Sequence, residues 1–262
     1  MNGRDLFYRI DEMISPRLAV AGDRIGYIGQ KDPSHLEISR VMVLMDYIPG
    51  IRSIDYTAYD LVILHHPPLV PPEIPAYVVH SNWDIADGGA CDALADSLDI
   101  RVDDVLDSST GLGRIGTIRN GPVPMFRFLR YAMRTLMITN LRVVNYSKKQ
   151  CISRIGIVPG FGLNLRMIQA ASTRNLDLYL SGDLTHQGAV WAQATGQVLV
   201  DATHYATELP GLKRLGELVS GFGLRVTVLD TGVPEGIISD YYHPVSYKGI
   251  NCYQRFPAIP VH

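Results

Sequence analysis

Two adjacent histidines, His65 and His66, close the apolar run Asp60-Leu61-Val62-Ile63-Leu64 and are followed by Pro67 and Pro68. Neighbouring side chains of a regular strand point to opposite faces. Both imidazoles can therefore serve one site only where the backbone leaves the pleat. Pro67 favours this, because it holds the preceding residue extended and cannot continue a ladder. Two neutral imidazoles at the carboxyl end of a buried strand, where open α/β sheets bind ligands, suit metal ligation. A lone strand-end histidine is more often a locally hydrogen-bonded structural group; the consecutive pair before proline reverses that balance.

Two other clusters offer partners, His80-Ser81-Asn82-Trp83-Asp84 and Asp201-Ala202-Thr203-His204-Tyr205-Ala206-Thr207-Glu208, each directly after a short apolar run. His204 and Glu208 are four apart, so one helical turn puts both on the same face. Pro210 disfavours helix at Leu209, and the turn holding His204 and Glu208 is expected to be separate from a helix over Gly211 to Val219. Together His65, His66, Asp84, His204 and Glu208 supply three nitrogens and two carboxylates. That is too many ligands for one tetrahedral zinc, but it suits two metals sharing a bridging carboxylate. Asp84 taken alone reads equally well as an Asx-turn residue. His80 is expected to orient a ligand from behind. Asp183 and His186 follow another strand end and are candidate catalytic proton carriers, although His186 reads equally as an exposed helix-start residue.

These residues need elements to carry them. Leu6, Phe7, Ile10, Met13 and Ile14 have helical spacing within Asp5 to Ile14, and Ser15-Pro16 stops that helix. Strands are expected at Val41 to Met45, Asp60 to Leu64 and Tyr77 to His80, then a loop through Asp84 to Gly88-Gly89 and a helix from Ala90 to Leu98. Farther on, helical text over Met125 to Met137, Leu163 to Arg174, Gln187 to Ala194 and Gly211 to Val219 alternates with strands at Ile152 to Val158, Leu176 to Leu180, Val198 to Val200 and Leu224 to Leu229. This alternation implies an α/β fold with mostly parallel sheets. The Ser108-Ser109-Thr110-Gly111 stretch suggests a boundary between lobes of about 1–110 and 111–230, with a tail at 231–262 expected at a surface or subunit contact.

At 262 residues with 47% hydrophobic and 19% charged content, the chain is an ordinary globular protein with ample core. Its formal charge of -2 argues against nucleic-acid binding, and Arg127, Arg130, Arg134 and Arg142 read as a solvated helix face. No apolar stretch reaches the ~20 residues of a membrane span, and no signal peptide opens the chain. Cys91, Cys151 and Cys252 are odd in number and far apart, which suggests reduced thiols and a cytoplasmic location.

Two motifs are decoys. Gly111, Gly113 and Gly116 satisfy the dinucleotide fingerprint, but Asn120-Gly121-Pro122 forbids a long following helix and no acidic residue sits about twenty positions on. Pro159-Gly160-Phe161-Gly162 is a strand-to-helix turn that lacks the lysine of a phosphate-binding loop.

The spaced motifs resemble those of the Nif-three-like family, also described as GTP cyclohydrolase type 2 homologues. Leu64-His65-His66-Pro67 matches its His-His-Pro strand end, and His80-Ser81-Asn82-Trp83-Asp84 with Gly88-Gly89 its His-Thr-Asn-x-Asp segment. Ser181-Gly182-Asp183 and Thr203-His204-Tyr205-Ala206-Thr207-Glu208 match two further segments, with Thr203 standing where the family has glycine. The resemblance implies two similar α/β lobes with mixed, mostly parallel sheets and a dinuclear metal site in the cleft between them. It further implies that His65 and His204 hold one divalent ion, His66 and Asp84 the other, and that Glu208 bridges. Zinc, iron, manganese, cobalt and nickel all suit such ligands. The implied activity is metal-dependent hydrolysis of the GTP cyclohydrolase type 2 homologue kind, with a metal-bridging hydroxide attacking a small-molecule substrate such as a nucleotide. The alternative is a non-catalytic metal-handling or regulatory interaction protein. Homo-oligomers, hexamers among them, are the implied assembly.

Overall fold

The computed structural model describes residues 1–50 and 54–232; the expected tail falls almost wholly outside them. The chain opens with α1 (Gly3–Met13), whose N-terminus is capped by the Asn2 side chain and whose Leu6, Phe7 and Ile10 are buried. Next come β1 (Gly26–Ile28), β2 (Arg40–Leu44), β3 (Leu61–Leu64) and β4 (Ala76–Val78), then α2 (Ser81–Ile85) and α3 (Ala90–Ser97). A hairpin of β5 (Ile100–Asp107) and β6 (Leu112–Ile118) leads to β7 (Val123–Pro124) and α4 (Met125–Thr135). The remainder runs β8 (Arg142–Val144), β9 (Cys151–Ile152), β10 (Arg154–Ile157), α5 (Leu165–Ser172), β11 (Leu178–Ser181), α6 (His186–Thr195), β12 (Leu199–Asp201), α7 (His204–Ser220) and β13 (Arg225–Val228). The fold is mixed α/β. Among the described residues no helix is long and apolar enough to cross a membrane.

Two sheets organise these elements, in strand orders β1-β4-β3-β2-β13 and β5-β6-β10-β11-β12-β8; β7 and β9 form a separate small pair. In the first sheet β13, β2, β3 and β4 are parallel and β1 is antiparallel at the edge. Leu44 pairs with Leu64 and Leu64 with Val78, so these strands end at one common edge. In the second sheet β10, β11 and β12 are parallel, with Ser181 opposite Asp201. The strands β2, β3 and β11 are buried on both faces, as expected where helices cover a parallel sheet.

Three expectations change. The residues around Asp84 form the short helix α2, not a loop. The helix α7 is continuous from His204 through Pro210; an interior proline costs roughly 3 kcal/mol, but burial of Leu209, Leu212, Leu215 and Val219 returns about 1.5–3 kcal/mol for each. The turn at Ser108 to Gly111 is the tip of the β5–β6 hairpin, where the Asp107 carboxylate accepts from the Ser109 N–H and from both neighbouring hydroxyls. Accordingly the expected lobes, about 1–110 and 111–230, do not coincide with the sheets. β5 already belongs to the second sheet, and β13 returns to the first by placing Val226 and Val228 beside Val41 and Val43.

Candidate metal centre

The carboxyl ends of both sets of parallel strands meet at one place. From the first sheet come Asp46 after β2, His65 and His66 after β3, and His80 after β4; from the second come Gly160 after β10, Asp183 after β11 and His204 after β12. Both histidines after β3 still donate their backbone N–H to the neighbouring strand's edge, His65 to Leu44 and His66 to Met45. His65 is almost wholly buried and His66 is only partly so.

The five expected ligands converge. Nε2 of His65 lies 3.5 Å from Glu208 Oε1 and 3.7 Å from Asp84 Oδ1. Nε2 of His66 lies 3.1 Å from Glu208 Oε2 and 3.3 Å from Nε2 of His204, which is itself 3.1 Å from Glu208 Oε1. Ligand atoms of His65, His66 and Glu208 all fall within 4.8 Å of one another. These distances set His65 beside Asp84 and His66 beside His204, with Glu208 touching all three imidazoles. The two Glu208 oxygens divide the histidines, Oε1 facing His65 and His204 and Oε2 facing His66.

Each ring is oriented by an acceptor at Nδ1. His65 donates to the Val79 carbonyl at 3.1 Å, His66 to Asp46 Oδ1 at 2.8 Å and His204 to Asp183 Oδ2 at 2.6 Å. An oxygen acceptor at Nδ1 fixes the proton there and leaves Nε2 as the lone-pair nitrogen. With the rings neutral, three Nε2 lone pairs and two carboxylates then face one another. Buried polar groups are ordinarily hydrogen-bonded, yet His65 Nε2, Asp84 Oδ1 and Glu208 Oε2 have no hydrogen-bond partner. His65, His66 and Glu208 form a group that could hold a metal ion, and mixed imidazole and carboxylate donors fit divalent metals.

Charges follow the same logic. Burial opposes ionisation of Glu208, but His65, His204 and His66 around it hold its carboxyl well below the usual range. Burial is the dominant influence on Asp84, which rises to about 7 despite the nearby imidazoles. For His66 and His204 burial lowers the value, and the facing acids outweigh it, raising them to about 10 and about 9. Without a metal, the facing acids therefore favour a second proton on His66 and on His204.

The loops around the cluster depend on glycine. Gly160 has φ +69, and a side-chain carbon there would overlap Glu208 Oε1. Its N–H is held by the Thr207 hydroxyl at 2.9 Å. A side-chain carbon on Gly182 would overlap the backbone of His204, so this glycine lets β11 end against the start of α7.

Among the described residues Asp183 touches the cluster only through His204. His186 is exposed on the first turn of α6 and lines a separate surface hollow with Asn145 and Val190; among the described residues no hydrogen bond or ion pair joins it to the cluster. Sequence reading missed Asp46, although its place just past the end of the β2 strand was a usable signal. Asp23, which accepts from His80, was also missed.

Comparison with known proteins places the chain among relatives of the same fold. The family described as Duf34/NIF3 (NGG1p interacting factor 3) matches residues 69–232. A protein of Methanothermobacter thermautotrophicus called GTP cyclohydrolase 1 type 2 homolog is 44% identical over 228 residues, spanning 86% of this chain and 91% of its own. The structure of reduced HcgD from Methanocaldococcus jannaschii superposes with a TM-score of 0.76 at 28% identity, covering 88% of this chain and 98% of that one. A Bacillus cereus protein related to NIF3 shares the fold at 17% identity, with a TM-score of 0.76 over 91% of this chain and 99% of its own. With its converging histidines and glutamate carried on this fold, the chain belongs to the Duf34/NIF3 family.

Proposed function

We propose that the protein binds two divalent metal ions and uses them to hydrolyse a small-molecule substrate. One ion would be held by His65 and His204, which face Glu208 Oε1, and the other by His66 and Asp84, with Glu208 shared. The observation that carries this reading is the set of buried, partnerless ligand atoms His65 Nε2, Asp84 Oδ1 and Glu208 Oε2. When bound, the ions would supply Lewis-acid activation of water and of a substrate oxygen or ring carbon. The chain's own contribution is to aim the donors. Val79, Asp46 and Asp183 lock the ring tautomers, and the Gly160 turn closes over Glu208. Asp183, exposed and hydrogen-bonded to His204, is positioned to pass protons between that ring and solvent. The name carried by the Methanothermobacter relative directs the substrate search toward nucleotides and cyclic amidines.

Metal analysis of the purified protein beside a His65→Ala, His66→Ala variant tests the site: near-complete loss of at least one ion is expected, and unchanged content refutes it. Steady-state assays over phosphoesters, nucleotides and cyclic amides, with manganese, iron or zinc added, test the reaction. Metal uptake without turnover on any class would leave a metal-handling role in place of catalysis.

A further inference from the structure

His80 is the imidazole beside the cluster that the cluster does not use. Its Nδ1–H donates to Asp23, 2.8 Å from Oδ1 and 3.0 Å from Oδ2. Asp23 Oδ2 in turn accepts both the backbone N–H and the hydroxyl of Ser81, which fixes the carboxylate. The same device that orients the three ligand rings therefore leaves Nε2 of His80 as an acceptor. In those rings Nε2 lies within 3.7 Å of another cluster atom. Among the described residues, Nε2 of His80 has no hydrogen-bond or ion-pair partner. The ring nevertheless stands against the cluster, with centroids 5.4 Å from His65 and 5.6 Å from His66, and its side chain is 32% exposed.

We infer that His80 is a substrate-binding group of the cleft, its Nε2 accepting a hydrogen bond from an N–H or O–H on the molecule that reaches the metals. The substrate class is thereby narrowed to compounds with a donor beside the group that meets the ions, such as an amide, a cyclic amidine or a vicinal hydroxyl. The inference rests on the metal-centre reading above, but it assigns His80 no ligand role. It also differs from the expectation that His80 orients a ligand, since the acceptor at its Nδ1 is Asp23 and not a ligand.

Cobalt-loaded protein tests this by visible absorption, with acetohydroxamate as a donor-bearing probe and acetate as one without a donor. His80→Ala is expected to keep the wild-type cobalt content, weaken acetohydroxamate about tenfold, the worth of one hydrogen bond to a buried site, and leave acetate within about twofold. Asp23→Asn gives a second reading. The amide oxygen stays with the two Ser81 donors, the amide nitrogen faces His80 Nδ1, and the ring proton moves to Nε2. Acetohydroxamate should then weaken while acetate binds more tightly, a reversal that loss of packing does not produce. Loss of cobalt from His80→Ala makes it a ligand and overturns the inference. So do equal changes for both probes, or acetohydroxamate affinity that is the same, or absent, in wild type and variant. A wild-type protein that takes up no cobalt overturns the metal-centre reading along with this one.

Discussion

Every imidazole at the cleft is held at Nδ1, and the kind of holder decides how protons and metals compete at Nε2. In the metal-free protein, nearby acids raise His66 and His204 from the ordinary 6.5 to about 10 and about 9. A group whose value is raised on folding stabilises the fold fully below its unfolded value and ceases to do so as pH climbs through the folded one. Metal-free protein should therefore lose stability between about pH 6.5 and 10. Metal binding needs the same nitrogens deprotonated, so the increment gained on adding metal should grow over that range. Urea midpoints measured with chelator and with metal across this range check the opposite slopes; parallel curves would contradict the ligand assignment of His66 and His204. The holder itself is testable at Asp46, which is half-exposed and has no other role in the cluster. Asp46→Ala should weaken metal affinity about 10–100-fold by freeing the His66 ring, as read by chelator competition.

At the scale of elements, two turns with positive φ carry residues of opposite fitness. Thr203 caps α7 at φ 67, ψ 150, a region essentially confined to glycine and costing about 1–3 kcal/mol. Its hydroxyl accepts from the Ala206 N–H and its carbonyl from the Thr207 hydroxyl, contacts that hold the first turn bearing His204. Thr203→Gly loses a cap worth a few tenths of a kcal/mol and adds chain entropy of about 0.5–1 kcal/mol. It should still come out more stable, by roughly 1 kcal/mol, in urea unfolding. Gly160→Ala goes the other way. The left-handed backbone and the overlap with Glu208 should together cost about 2 kcal/mol or more, and metal content should fall with stability. The glycine of the Pro159-Gly160-Phe161-Gly162 turn was legible in the sequence as a turn. Its function was not, because only the fold brings residue 208 beneath it. Pro210 misled for a related reason: local chemistry predicts a break, and tertiary burial of the leucines beyond it decides otherwise.

For the whole molecule, the strands that end in His65, Asp183 and His204 were readable because short apolar runs bounded by polar residues mark buried strands. The partners of those strands were not. The β5–β6 hairpin alternates weakly, with Arg101 to Asp104 exposed, and the return of β13 to β2 depends on a pairing of residue 226 with residue 41 that no local pattern encodes. This return matters to function. The helix α7 begins at the second sheet's edge with His204 and Glu208, then packs Leu212, Leu215 and Val219 into the first sheet's core. Ligands on β3's end, on α2 and on α7 are thus joined through one helix shared by both sheets, and a bound ion pins segments far apart in sequence. Metal should therefore stabilise the entire fold in one transition instead of rigidifying a loop. At a free concentration 100 times its dissociation constant, an ion that binds only the folded state adds about 2.7 kcal/mol, equivalent to about 5–10 °C for a chain of this size. Scanning calorimetry with chelator and with excess manganese or zinc should show a single peak moving by that amount. Two separable peaks, with only one shifted by metal, would mean that the sheets unfold independently and that α7 does not couple them.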